Sequence, residues 1–530
     1  MNFPKISGLQ STSRATSEPC TLGKRYRKSA HLLLRNLGLT LALSMAFAGC
    51  TVGPDFKAPA APIGVGHVFG SASLPTTTQA VTNGEVGNAG IAQHIVYGQD
   101  LPAQWWTLFH SEALDQLIRS ALQQNPTFAS AQAALRQAKE NYNAGSGQLH
   151  YPKVTGELGA TRERAQLASV TPSVFNLYNA TVSVSYTLDV FGGSRRQLES
   201  LEAAVNYQQF ELEAAYQMLV SNVVTTAIRD AALRAQLQAT QTILEAQQKQ
   251  LEIIEKQYAL GAVTRTVELA QATQVAQTQT LLSPLEKALA QTRHQLAAYV
   301  GKLPSESGLP EFQLDGLQLP QDLPVSLPSS LVRQRPDIRA SEAVLHEASA
   351  QIGVATANQY PQFNLTGAYS ADRIVLNGVS ASSTLWNIGA ALTQPIFEGG
   401  SLSAKRRAAE AAYDQAEAQY RATVLTAFQN VADNLLAIDA DAATLNAQAK
   451  AESLARESLE ISKRQYELGS VSHLALLDAQ RVYQQVYINL VSAQSARLSD
   501  TAALFVSLGG GWWNRSEDIT TADKGVSAKN

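Results

Sequence analysis

Thr181-Val-Ser-Val-Ser-Tyr-Thr-Leu-Asp-Val190, followed at once by Phe191-Gly-Gly193, is the stretch from which the fold can be worked out. Val182, Val184, Tyr186, Leu188 and Val190 fall on one face, with Thr181, Ser183, Ser185, Thr187 and Asp189 on the other. A period of two is that of a β-strand. Val154 to Thr161 alternates in the same way. Phe363, Leu365 and Tyr369 against Asn364, Thr366 and Ser370, then Trp386, Ile388, Ala390 and Leu392, supply two more strands. Four strands are expected, each with an apolar face and a face rich in hydroxyls. This pattern suits a membrane barrel with lipid outside and water inside. A soluble sandwich resting one face on its own core gives the same alternation, and the flanking sequence favours the barrel. Four strands cannot close a barrel, and lipid does not tolerate open edges. Two chains would give eight strands and an interior filled by side chains, whereas three would give twelve and a wet lumen. A conduit therefore requires a trimer.

Working outward, the strands sit inside a duplication. Tyr258-Ala-Leu-Gly261-Ala-Val-Thr264 returns 208 residues later as Tyr466-Glu-Leu-Gly469-Ser-Val-Ser472, and Phe191-Gly-Gly193 returns as Phe397-Glu-Gly-Gly400, its last glycine 207 residues on. Tyr151-Pro152 returns as Tyr360-Pro361, and Tyr299-Val-Gly301 as Ser507-Leu-Gly509. Anchors repeated in order at nearly one spacing mark an internal repeat. Between Gly193 and Gly261, and again between Gly400 and Gly469, no Gly or Pro interrupts an Ala-, Gln- and Glu-rich run. Each run as a helix would span roughly 100 Å. Gly261 and Gly469 mark the tips where these helices stop and reverse. The returning stretches, Thr266 to Val300 and His473 to Leu508, are about half as long. Leading helices at 111–144 and about 335–357 are expected to stack end to end with them, so that each copy is one continuous helix against one built from two pieces.

The N-terminus sets the compartment. Lys24, Arg25, Arg27, Lys28 and Arg35 precede an apolar stretch from Leu37 to Ala48 that ends in Phe47-Ala-Gly-Cys50. This reads as an export signal over 1–49, with Cys50 as a bacterial lipoprotein site, although Phe47 stands where Leu is usual. Thr51 after the cysteine favours sorting to the outer membrane. A lipid on Cys50 anchors without spanning. The other cysteine, Cys20, lies in the signal, so the mature chain has no disulfide or thiolate site. With Lys+Arg 41 against Asp+Glu 44 the net charge is −3, and nothing calls for nucleic acid. No phosphate loop, Gly-x-Ser-x-Gly or His pair at metal spacing occurs, so neither an enzyme nor a resident cofactor is expected. His473 and His294 read as ordinary packed or solvated residues. The expected organisation is an extended lipid-anchored segment at 50–110, a first repeat at 111–301, a Pro-rich strap at 302–334, a second repeat at 335–509 and a polar tail at 510–530. The strap, with Pro304, Pro310, Pro320, Pro324 and Pro328, has the length of a crossing and not of a folded domain. A soluble coiled-coil scaffold or periplasmic adaptor would explain the helices and the anchor. It leaves the inserted strand pairs unexplained.

Six segments together resemble the outer membrane efflux proteins, TolC-like, in the lipoprotein branch called NodT-type. They are Cys50-Thr-Val-Gly-Pro-Asp55, Trp105-Trp-Thr-Leu-Phe109, Leu327-Pro-Ser-Ser-Leu-Val-Arg-Gln-Arg-Pro-Asp-Ile338, Tyr360-Pro-Gln-Phe-Asn-Leu365, Gln394-Pro-Ile-Phe-Glu-Gly-Gly400 and Tyr466-Glu-Leu-Gly-Ser-Val-Ser-His-Leu-Ala-Leu-Leu-Asp-Ala-Gln480. The resemblance covers essentially the whole mature chain. It implies an α+β membrane protein, a homotrimer whose 12-stranded β-barrel in the outer membrane continues into a 12-helix periplasmic α-barrel. The implied role is an exit duct for drugs or other small solutes, docked by a periplasmic adaptor protein to an inner-membrane efflux transporter. A type I protein secretion outlet would use the same fold. Leu474 and Asp478, one turn apart on a helix face, match the family's constriction positions, where the first copy has Thr266 and Ala270. The tips Tyr258, Gly261, Thr264 and Tyr466, Gly469, Ser472 match its adaptor contacts.

Overall fold

The computed structural model describes residues 51–61, 75–81, 86–165, 173–306, 308–326 and 328–516. The export signal, Cys50 and the end of the tail, 517–530, lie outside the described residues. In chain order the elements are β1 (His94–Tyr97), α1 (Glu112–Gln124), α2 (Pro126–His150), β2 (Lys153–Ala165), β3 (Ser173–Leu188), α3 (Gly193–Ala259) and α4 (Arg265–Tyr299). There follow β4 (Asp322–Val325), α5 (Pro328–Gln334), α6 (Pro336–Ala357), β5 (Gln362–Leu376), β6 (Val379–Thr393), α7 (Ser401–Glu467) and α8 (His473–Ser507). The repeat is carried into the structure: α3 and α7 are each 67 residues long, and α4 and α8 are each 35.

β2, β3, β5 and β6 form one antiparallel sheet in that order, with β2 and β6 at its edges. The register places Gly156, Val182, Tyr369 and Trp386 in one row, and Val154, Val184, Gly367 and Ile388 in the next. This face is exposed: Leu158 is 87% accessible, Ile388 84% and Trp386 70%. The opposite face carries Thr181, Ser183 and Ser370. Val190 falls beyond the end of β3, so the expected strand is two residues too long. There Asp189 accepts hydrogen bonds from the backbone N–H groups of Ser194 and Arg195 at 2.9 and 3.0 Å, which starts α3 and ends the period of two.

Four helices end alike. The N–H of Ala262, Lys302, Ser470 and Gly510 each reaches back to a carbonyl five residues earlier. Gly261, Gly301, Gly469 and Gly509 each adopt positive φ just before it, giving the Schellman close that glycine allows without Cβ strain. The leading stretch 111–144 is two helices and runs on to His150. Asn125 ends α1, and its side chain accepts from Phe128 N–H at 3.0 Å to start α2, with Pro126 at the first helical position. A proline needs no N–H there.

Midway along the helices is the main core. Trp105, Trp106 and Phe109 are buried with Phe505, Leu212, Val223 and Ile228. The segment 86–110, expected to lie extended across the surface, is thus partly core. The Pro-rich strap is also more than a crossing. Its β4 pairs in parallel with β1, His94 opposite Asp322, and Leu317, Leu323, Val325 and Leu331 are buried. Paired backbone and buried leucines let it pack in spite of its prolines. The tail corrects the same way: Gly510 and Gly511 turn the chain at positive φ. Trp512 then donates to Gln334 O at 2.6 Å, and Arg515 pairs with Glu213 at 3.0 Å and lies over the Tyr216 ring. So 510–516 is a docked clasp.

Candidate functional site

Two helix tips and one helix start bring the sequence-selected residues together. At the first tip Tyr258 is the last-turn aromatic of α3, Gly261 is at the C′ position with φ 74°, and Thr264 precedes α4. At the second, Tyr466, Gly469 with φ 70° and Ser472 take the same places, and Ser472 Oγ accepts from Ala475 N–H at 3.4 Å. Gly261 and Gly469 are exposed, and a Cβ at either would meet nothing within 4 Å. Leu260 and Leu468 beside them are 85% and 81% accessible. Each protomer therefore presents two apolar, glycine-centred tips.

The tips differ at the start of the returning helix. Arg265 lies over the Tyr258 ring at 5.5 Å and pairs with Glu268. In the second copy His473 stands in place of Arg265, 5.3 Å from the Tyr466 ring. His473 is buried and its Nε2 has no partner. Burial lowers its pKa, and its place at the positive end of α8 acts in the same sense. The imidazole is accordingly neutral at neutral pH. With His473 turned inward, Leu474 and Asp478 turn outward, 71% and 61% accessible. Leu474 does not pack within the protomer. Asp478 is held by Arg481 Nη2 at 2.6 Å. Thr266 and Ala270 take these positions in the first copy, so the carboxylate belongs to one hairpin only.

Farther up the helices are buried charges that motif reading did not single out. Asp230 on α3 is fully buried, accepts from Arg234 at 2.8 Å and meets Phe312 N–H of the strap at 3.4 Å. Arg497 on α8 is fully buried and donates to Ala89 O, Ile91 O and Thr78 Oγ1 at 2.8, 2.8 and 3.0 Å. Each hairpin thereby pins one of the two segments that pass over it. Burial drives the Arg497 pKa down to about 10, against the pull of Asp441. The signal was present in the sequence as a charge on the apolar stripe between Leu490 and Leu504. Where the sheet meets the helices there is a cleft of about 320 Å³ lined by Leu149, Leu188, Asp189, Phe191, Ala357 and Pro361. Its one carboxylate is consumed by α3. No group of His, Cys, Asp and Glu among the described residues could hold a metal ion, and no described helix is long and apolar enough to cross a membrane.

A sheet apolar on one face, mounted on helices of this length that reverse at glycine tips, defines a channel-forming protein of an outer membrane. Residues 117–302 and 327–510 match the family model of the outer membrane efflux protein, and the chain belongs to that family. It is 30% identical over 504 residues to the antibiotic efflux pump outer membrane protein ArpC of Pseudomonas putida, covering 90% of this chain and 96% of ArpC. It is also 30% identical over 484 residues to the cation efflux system protein CusC of Escherichia coli, covering 89% and 98%. The solved outer-membrane channel OprN superposes with a TM-score of 0.75 at 26% identity over 87% of this chain and all of OprN. The protein is an outer membrane efflux channel.

Proposed function

We propose that three copies pool their sheets into a 12-stranded barrel in the outer membrane, and their hairpins into a 12-helix tunnel across the periplasm. The observation that carries this is the four-stranded sheet itself. β2 and β6 are unpaired on their outer sides in one protomer, while the apolar face, which becomes the convex one when the barrel closes, exposes Val154, Leu158, Val182, Tyr369, Trp386 and Ile388. Open edges beside an apolar face are tolerated in lipid only when neighbouring sheets close them. The duct conducts passively when a periplasmic adaptor docks it to an inner-membrane transporter, which supplies the energy. Efflux of small solutes is favoured over protein secretion because the relatives at 30% identity are named for antibiotic and cation efflux. The Cys50 lipid adds a second attachment to the membrane.

The resting gate is assigned to the second tip. Three copies of Leu474 and Asp478 around a trimer axis make an apolar ring and an acidic ring, the latter favouring cations. The glycine tips offer backbone and small side chains to the adaptor. Purified full-length protein is expected to be a trimer by light scattering in detergent and to form channels in planar bilayers. A monomer stable in plain buffer, with no channel activity, would remove the barrel and revive the coiled-coil reading.

A further inference from the structure

Charge on the sheet is sorted by face and by height. The strand carboxylates Glu157, Glu163 and Asp372 all lie on the concave face with Thr181, Ser183 and Ser370, as does Lys153 next to the helices. The strand arginines Arg162, Arg164 and Arg373 all lie on the convex face, in line with Val154, Leu158 and Tyr369. All three sit at the end of the sheet farthest from the helices. Arg373 is in the row of Tyr178 and Ser382, Arg162 one row beyond with Asn176 and Ser380, and Arg164 beyond that with Val174. Below them the convex rows run apolar, apart from Thr384, down to Leu188, Phe363 and Leu392.

Arg162, Arg164 and Arg373 are exposed, and Arg373 is steadied by Ser380 Oγ at 3.4 Å. No carboxylate occurs on the convex face of the described strands, and the sequence joining β2 to β3, Gln166 to Pro172, has none either. Arg162 and Arg373 stand two strands and one row apart, about 12 Å at ordinary sheet spacings, so their side chains can converge on one group. An arginine facing lipid is costly at mid-membrane and nearly free at the interface. These three therefore mark the outer interface, where charge of the opposite sign would be supplied by lipid and not by protein.

We propose that this patch docks the phosphate-bearing headgroup of an anionic lipid of the outer leaflet, the acyl chains lying along the Val182, Tyr369 and Trp386 rows. The assignment rests on the barrel reading, which sets the convex face against lipid. Guanidinium groups match phosphate by paired hydrogen bonds, and a lipid satisfies the apolar rows and the cations together, which a soluble anion does not. The site would hold the distal rim of the barrel at a fixed depth.

The test is native mass spectrometry of the full-length trimer titrated with a bis-phosphorylated glucosamine lipid, with its dephosphorylated form and with inorganic phosphate. The parent should retain the phosphorylated lipid, and the dephosphorylated form should bind at least about tenfold more weakly. The combined substitutions Arg162→Ser, Arg164→Ser and Arg373→Ser should lower affinity by a similar factor with trimer and channel activity intact, whereas Lys153→Ser on the concave face should change nothing. Equal binding of both lipids, unchanged binding by the triple variant, or displacement of the lipid by equimolar phosphate would overturn the assignment and leave the barrel standing. Failure of the parent to form a trimer or a channel would instead strike the barrel reading.

Discussion

Asp441 on α7 and Asp500 on α8 interact beside Arg497, and burial, then Asp500, raises the Asp441 pKa to about 7 while Arg497 pulls the other way. A carboxyl whose folded pKa exceeds its unfolded value stabilises the fold at low pH, and that contribution is lost as pH rises through the folded value. The window here runs from the usual aspartate range up to about 7. Asp441→Asn is therefore expected to raise Tm at pH 8, on the order of 2 °C, and to change it little at pH 5. A melting curve shifted equally at both pH values would rule out the raised Asp441 pKa as the cause. Arg497 is a different case, since its removal strands the buried Ala89 O and takes a charged donor from Ile91 O and Thr78 Oγ1. Arg497→Met is expected to cost about 3 kcal/mol, measured by denaturant titration of the detergent-solubilised protein. Asp478 is exposed and paired only with Arg481, so Asp478→Ala should leave stability unchanged within about 0.5 kcal/mol. Its effect should appear in single-channel recordings as lower cation preference and more frequent opening. Recordings identical to the parent would make Asp478 part of an ordinary helix face.

At the scale of elements the hairpins were legible because long helices have few alternatives. A run of this length without Gly or Pro, closed by Tyr-x-x-Gly, can only continue and then stop at the glycine. The strands were legible for a similar reason, since a one-residue slip would turn every apolar side chain to the other face. What escaped was structure made by long-range pairing. β1 and β4 are only four residues each and pair across more than two hundred residues, and neither carries an alternation long enough to register. The docking of Trp512 and Arg515 depends on a three-glycine turn whose direction no local pattern sets. The candidate site divides along the same line. The tips are local motifs and were found, while the His473 burial that turns Leu474 and Asp478 outward depends on neighbouring helices. The tips also permit a clean test. Gly261→Trp and Gly469→Trp have open space around them, and their intrinsic cost is the positive φ, about 1 kcal/mol each. They are expected to abolish adaptor crosslinking and efflux while the trimer persists. Loss of the trimer with crosslinking retained would mean that the glycines serve only to end helices.

For the whole molecule, the proposed Cys50 lipid and the proposed barrel must meet the membrane at compatible depths. Val52 N–H donates to Phe191 O at 3.1 Å, where β3 gives way to α3. Arg196, 5% exposed in its side chain, gathers Val52 O, Gly53 O and the Asp55 carboxylate, the last at 2.6 Å. Gly53 lies so close to Gly353 that a Cβ there would sit 2.5 Å from its Cα, and Phe56 stacks on His346 at 4.3 Å. Residues 51–56 are thus fastened by protein contacts at the height where strands become helices, which is the inner border of the apolar rows. A lipid one residue earlier would enter the membrane at the level that the proposed barrel selects, so the two proposed attachments would agree in depth without depending on each other. Cys50→Ser is accordingly expected to abolish metabolic lipid labelling while the trimer still forms and still inserts. Undiminished label would move the acylation site elsewhere. Loss of the trimer would show that the anchor guides assembly, and that the contacts of Arg196 with residues 52–55 are too weak to seat the N-terminus alone.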